Sequence, residues 1–507
     1  LILFLCLGII IQAKGEGIKL GEIVITATRI KEPVKYVSAS SEVITETQIY
    51  QEQILQVRDI LQRRIGIDIG SNGSFGGVTS LFLRGTNSNH TVIMIDGVKV
   101  YNPISIGGTF DLANLTTDNI ERIEIIRGPQ SSLYGSDAIG GVINIITKKG
   151  KGKPVLNFTQ EYGSHNSLIE TLSSSGEVDK FSYSFSYRRF DTDGISKASK
   201  KYGNTEKDSY TDNSFSGKFE YQFSKDINIG LITRYTKASV DIDDWDFFVS
   251  NKAVDDPDHI NKISQFLIST YFNQKVNTIW EHNLKLSFMR DILHDESGPI
   301  GPGWPYSSYL KGNNKAIDWQ NNFYLNEADT LILGFQYNNE DGDYFYQDAW
   351  STTKFKKGTN TRSFYFENKL NMKEKFFNTL SLRFDNHSRF GTHTTYKIGM
   401  AYLFDSGTKL KGNFGTGFKS PTIYQLYAPS VWGMPVGNPN LKPEKSNGYD
   451  IGVEQALWNN KVSIECIFFK NNLKNLIDFS PVSGSVSYTH LRAHETRHDL
   501  VCRLLLE

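Results

Sequence analysis

The sequence predicts two joined architectures: an α+β domain over residues 31–150, then a transmembrane antiparallel β-barrel over residues 151–487. Three observations carry this. From about Lys153 the chain alternates with period two, and the apolar face of each strand is repeatedly aromatic, as in Phe181-Ser182-Tyr183-Ser184-Phe185-Ser186-Tyr187. No stretch downstream of the N-terminus offers ~20 consecutive apolar residues, so a membrane location requires a closed barrel, which alone satisfies every backbone group without a helix. The breaks between strands also come in two sizes. Ser224-Lys225-Asp226 and Lys373-Glu374-Lys375 are short, whereas Asp191 to Asn213 and Ile242 to Lys262 are long.

Each part has its own grammar. Leu1 to Ala13 is almost wholly apolar and is followed by Lys14, which reads as the remnant of a signal peptide and is too short to cross a bilayer. Cys6 follows bulky Leu5 rather than a small residue, which argues against a lipid-anchored cysteine. Residues 14–30 form an N-terminal extension. In the α+β region, Thr91 to Val100 reads as a tight hairpin turning at Asp96-Gly97. Val57, Ile60, Leu61 and Arg64 have the spacing of a short amphipathic helix over Val57 to Ile65. In the barrel region, Ile227 to Leu231, Leu284 to Phe288 and Leu380 to Phe384 repeat the alternation. A soluble sandwich would fill its core mainly with aliphatic side chains, whereas an outer-membrane barrel turns aromatic girdles toward lipid and polar groups inward. At roughly 20 residues per strand with its connection, residues 151–487 hold about 15–16 strands.

Composition narrows the function classes. Fifty-five basic and 55 acidic residues give a formal net charge of +0, without the basic excess that nucleic-acid binding favours. The three cysteines, Cys6, Cys466 and Cys502, show neither a disulfide framework nor metal-ligand spacing. The Gly-rich turns lack the G-x-G-x-x-G or P-loop spacing of a nucleotide site.

Five motifs then occur in order. Glu22-Ile23-Val24-Ile25-Thr26-Ala27 is β-branched, free of proline and near the N-terminus. It is suited to add as a strand to a partner. Leu81-Phe82-Leu83-Arg84-Gly85-Thr86-Asn87 leads into Ile95-Asp96-Gly97-Val98. Arg127-Gly128-Pro129-Gln130 runs through Tyr134-Gly135 to Gly140-Gly141. GTGFKSPTIYQLY (Gly415 to Tyr427) and GNPNLKPEKS (Gly437 to Ser446) follow. Together these resemble the TonB-dependent outer-membrane receptors, whose N-terminal segment is the TonB box and whose α+β domain plugs the barrel.

The resemblance implies a monomeric integral outer-membrane transporter, not an enzyme. It implies 22 strands in the intact barrel, TonB as a periplasmic partner, outer-membrane lipid around the wall and one small nutrient as cargo. Enclosure in a polar lumen gives Arg84 and Arg127 a role in bonding plug to wall; Gly85, Asp96, Gly97, Gly128, Pro129, Tyr134, Gly135, Gly140 and Gly141 are expected to shape the plug.

The plug signature most resembles the cobalamin receptor branch. That implies substrate contacts at Asn72, Thr79, Gly107 and Thr109, with Gly77 standing where the branch usually has glutamine. It also implies Ca²⁺ in two acidic outer loops, drawn from Asp191, Asp193, Asp208, Asp212, Asp241, Asp243, Asp244 and Asp246, since hard Ca²⁺ takes six to eight oxygens. Ferric siderophores or haem are the alternative cargoes, and a passive or structural barrel is the alternative of another class.

Residues 488–507 are expected to be an unrelated tail on a C-terminally truncated barrel, because from Ser487 the alternation is lost. His494-Glu495-Thr496-Arg497-His498 fits H-E-x-x-H, but no third ligand or catalytic domain accompanies it, and a zinc protease is rejected.

Overall fold

In the computed structural model the described residues are 23–246, 250–430, 436–458, 462–482, 485–490, 494–495 and 499–506. The signal-peptide remnant and Glu22 lie outside them.

The N-terminal domain is built on a five-stranded mixed sheet, in the order Ser41–Thr45, Ile120–Arg127, Gly141–Thr147, Thr91–Ile95 and Val98–Val100. Thr91–Ile95 runs parallel to Gly141–Thr147, and the other pairs are antiparallel. The hairpin turns where the sequence places it, with Asp96 and Gly97 both at positive φ, as such a tight turn requires. The amphipathic helix spans Val57–Gln62, and its Val57, Ile60 and Leu61 are fully buried. They pack on Ile44, Leu83, Ile123 and Ile125, and the barrel adds Leu267 and Met289 to the same core. On the other face of the sheet, Val92, Met94 and Val142 pack with Leu133, Tyr134 and two barrel residues, Ile332 and Tyr365. Both faces of the sheet are therefore covered, which explains why Thr91–Ile95 reads as an unbroken apolar run rather than an alternating one.

The barrel wall is one antiparallel sheet of 17 strands, starting at Val155–Gly163. Its last two members, His494–Glu495 and Asp499–Leu506, both pair with Val462–Lys474, so fifteen strands fall in the expected barrel region. The pleat sorts the faces as the alternation requires. Phe181 is 40% exposed and faces outward, while Ser182 is 7% exposed and faces in. Ser184, on that inner face, donates to Asn119 Oδ1 at 2.6 Å. Outward aromatics line up across strands, as in Phe181–Phe219, Phe335–Phe364 and Tyr396–Phe414.

Parts of the expected tail are among the described residues and pair as strands. Strand Ser485–His490 pairs with Ile477–Val482 across the expected 487/488 boundary, and Asp499–Leu506 pairs with Val462–Phe469. The apolar run Leu500-Val501-Cys502 supplies β-compatible residues, and the far edge of Val462–Lys474 supplies unpaired backbone groups for them. Residues 496–498 of the H-E-x-x-H match lie outside the described residues.

Candidate functional site

The N-terminal segment is held inside the barrel. Ile23–Val24 pairs with Glu32–Pro33, and the chain then turns sharply through 25–28. Glu124, fully buried on the central sheet, organises that turn. Its Oε2 accepts from the Ile25 amide at 3.0 Å, the Thr26 amide at 2.8 Å and Thr26 Oγ1 at 2.6 Å, and its Oε1 accepts from Arg122 Nε at 2.8 Å. Tyr134 donates its hydroxyl to the Thr26 carbonyl at 2.7 Å, and Asn144 Nδ2 donates to Thr26 Oγ1 at 3.0 Å. Val24 and Ala27 are buried with Val37, Ala39, Val43 and Ile126. In this state a buried carboxylate takes up the amides of Ile25 and Thr26, and Val24 and Ala27 have a core to enter.

Arg29 ties the same segment to the wall. Its Nη1 donates to Asp318 Oδ2 and to the Tyr365 hydroxyl, each at 2.8 Å, and its guanidinium lies between the Tyr134 and Tyr365 rings. Tyr365 in turn donates to Asp318 Oδ1 at 3.0 Å. The ring lies across Gly334, whose position leaves no room for a Cβ.

Beside Arg29 opens a cavity of about 110 Å³ between the inner domain and the wall, lined by Arg29, Tyr134, Lys285, Asp318, Arg383 and Asp385 among others. A drug-sized ligand needs roughly 300 Å³ or more, so this space holds only a few waters.

The plug residues act in two ways. Arg84 stacks on Phe469 of the wall, with 4.5 Å between guanidinium and ring centroid. Arg127 instead donates to Glu42 Oε2 at 2.6 Å and to the Ile65 carbonyl at 2.9 Å, both in its own domain. That expectation is corrected: Glu42, on the neighbouring strand, reaches Arg127 within the domain. Asp96 bridges both bodies, accepting from the Thr147 amide at 3.2 Å and from Lys218 Nζ at 2.8 Å. Pro129 rests against Gly415 and Gly448 of the wall, and Gly135 against Arg383.

The four expected substrate contacts divide. Thr79 is buried; its hydroxyl donates to the Gly77 carbonyl at 3.0 Å and accepts from Arg58 at 3.2 Å. It is a folding residue, not an open contact. Asn72 is exposed on the loop that brings Phe75 against Phe190 and Tyr210. Gly107 and Thr109 sit together on a separate loop, beside Asn89, where neighbouring Gly108 meets Thr422. Gly77 has a steric reason to be glycine, since a Cβ there would overlap the Asn72 carbonyl oxygen.

The acidic loops assemble differently from the sequence expectation. Glu206, Asp243 and Asp255 bring carboxylate oxygens within 4.8 Å of one another, as Asp244 and Asp256 do with a nitrogen of His259. Glu206 Oε2, Asp208 Oδ1 and Asp243 Oδ1 are buried without a partner. Burial, with Asp208 and Asp243 beside it, pushes Glu206 up to about 7. Burial likewise raises Asp208 to about 7, with Asp243 adding to it. Asp241 accepts from Ser209 at 2.6 Å and Asp246 from the Ser250 amide at 2.8 Å. Asp191 binds Arg189 at 2.6 Å, Asp193 binds Lys207 at 3.0 Å, and Asp212 is buried against Ser214. Of the eight expected Asp residues, only Asp243 and Asp244 belong to these two groups among the described residues. Asp191 fails for a pleat reason: it shares the outward face with Arg189. Glu206, Asp255, Asp256 and His259 were missed, although D-D-P-D-H at 255–259 stands in the same long loop.

Comparisons with known proteins agree with this architecture. The family described as "TonB-dependent Receptor Plug Domain" matches residues 33–142, and "TonB dependent receptor-like, beta-barrel" matches residues 157–497. The chain is 28% identical over 482 residues to the "Vitamin B12 transporter BtuB" of Vibrio vulnificus, covering 92% of this chain and 72% of that protein. It is 30% identical over 473 residues to the protein of the same description from Photobacterium profundum, covering 91% and 71%. Among solved structures, the siderophore receptor PirA from Acinetobacter baumannii superposes with a TM-score of 0.73 at 19% identity, covering 92% of this chain and 77% of that one. A mutant of the ferric enterobactin receptor PfeA from Pseudomonas aeruginosa gives 0.71 at 17% identity, covering 95% and 78%. The plug and barrel matches, the second over more than half of the chain, make this chain a member of the TonB-dependent receptor family, outer-membrane transport proteins rather than enzymes.

Proposed function

We propose that the chain carries cobalamin inward across the outer membrane, driven by TonB acting on Glu22 to Ala27. The observation that carries the cargo assignment is the likeness to two vitamin B12 transporters along more than nine-tenths of the chain. The siderophore receptors share the fold, but at 17–19% identity they say nothing of cargo. Binding begins on the outer loops and on the plug's exposed loops, at Asn72, Gly107 and Thr109. Ca²⁺ held by Glu206, Asp243 and Asp255, with Asp208 and Asp241 beside them, orders those loops. The orphaned carboxylate oxygens support this, because unpaired buried charges are costly and a divalent cation offsets them. The buried N-terminal segment must leave Glu124 before any partner can pair with it as a strand.

Equilibrium binding of cyanocobalamin to the purified protein, with and without millimolar Ca²⁺, tests this reading. Tight, calcium-enhanced binding is expected; binding of ferric enterobactin with none of cobalamin would replace the cargo.

A further inference from the structure

We infer that Asp244, Asp256 and His259 form a second metal site, separate from the all-carboxylate cluster, that takes a borderline divalent cation of the zinc type. Successive residues sort between the two. Asp243 and Asp255 turn to Glu206, whereas their chain neighbours Asp244 and Asp256 turn to His259. The two short chain segments thus contribute one residue each to both groups.

The His259 side carries the donor chemistry that distinguishes it. Nε2 of the imidazole lies 2.8 Å from Asp295 Oδ1, and Asp295 Oδ2 accepts from the Tyr306 hydroxyl at 2.9 Å. An Nε2–H donated to Asp295 leaves Nδ1 as a bare lone pair. That nitrogen points at Asp256 Oδ2, 3.9 Å away. Both atoms are buried and without a hydrogen-bond partner, and Asp256 as a whole is 0% exposed. A carboxylate holding the far nitrogen of a metal-binding histidine is the arrangement that fixes tautomer and ring orientation at zinc sites.

The covering loop is shaped for close approach. A Cβ at Gly301 would overlap the Asp256 carboxylate, and one at Gly303 would lie 2.8 Å from Asp244 Oδ2. Metal–ligand bonds of about 2.1 Å place tetrahedral ligand atoms roughly 3.4 Å apart, so the three donors need close in by only about 0.5–1.4 Å. One imidazole and two carboxylates leave a fourth position to water. Imidazole favours zinc-like ions over Ca²⁺, which takes oxygen alone. Bound there, the ion clamps the segments carrying Asp244 and Asp256 to the strands that carry Asp295 and Tyr306.

The test titrates Zn²⁺ into the full chain in detergent with Ca²⁺ held saturating, against a chromophoric chelator, and records the visible spectrum with Co²⁺. One ion per chain is expected, with Co²⁺ absorption of tetrahedral intensity. His259→Gln and Asp256→Asn should weaken Zn²⁺ binding at least 30-fold, whereas Asp255→Asn, which touches only the other cluster, should leave it within threefold. Asp244→Asn, less buried, repeats the loss where the core variants fail to fold. Absence of Zn²⁺ binding, displacement by millimolar Ca²⁺, or unchanged affinity in His259→Gln would each overturn the site. None of these outcomes depends on cobalamin being the cargo.

Discussion

Glu124 shows how much one side chain can decide. A buried carboxylate with four donors is satisfied only while the N-terminal segment is docked. Hydrogen bonds to a charged group contribute about 1.5–3 kcal/mol each, and part of this is recovered from water. Glu124→Ala should therefore release the segment by about 3 kcal/mol, roughly a hundredfold in the docked-to-free ratio. Maleimide labelling of Ile25→Cys reads this directly, and a rate change under twofold would refute it. Arg29→Ala should act in the same sense, since it removes the Asp318 and Tyr365 attachments. Glu206 and Asp208 set a pH dependence. Both are raised to about 7, so without metal they contribute stability that is present below about pH 4 and lost as pH rises through about 7. Ca²⁺ needs the deprotonated forms, so its affinity should climb through the same window, seen as proton release on binding in unbuffered titration.

Elements were legible in proportion to how local their causes are. The hairpin at Asp96-Gly97, the helix at Val57 and the outward aromatics of Phe181–Thr192 all follow from short-range periodicity or turn chemistry. Partners far apart along the chain left no such trace. Nothing near Ile25 announces Glu124, and nothing near Arg29 announces Asp318, because those pairings exist only once the domain is seated in the wall. The metal loops show an intermediate case. Acidic density pointed to the loops in which carboxylates do converge, but counting Asp alone overlooked Glu206 and His259, and one dimension could not show that Asp191 faces away. Gly334 supplies an element-scale test. A Cβ there would overlap the Tyr365 ring, so Gly334→Val should displace the ring and loosen Arg29 without unfolding the strand. Ile25→Cys labelling should accelerate while thermal unfolding of the barrel shifts by only a few degrees.

At the scale of the molecule, the inner domain is bonded to the wall on several sides, and the cavity beside Arg29 lies on one of them. Ser184 meets Asn119 on one flank; Ser136 accepts from the Ser420 amide at 3.2 Å at the cavity. If transport opens the cavity side, a disulfide between Ser136→Cys and Ser420→Cys should abolish cobalamin uptake while one between Asn119→Cys and Ser184→Cys leaves it nearly intact. Equal block by both would mean the whole domain leaves the barrel. The docked N-terminal segment has one further consequence, which is mechanical. Ile23–Val24 and Glu32–Pro33 form a two-residue antiparallel ladder, with Ile23 on its N-terminal side. A pull from that side loads the ladder bonds one at a time, then the Thr26 contacts, then Arg29. The segment is thus a graded fuse, weakest where the tug arrives and strongest where it joins the wall, and it should yield in successive small steps rather than one large rupture.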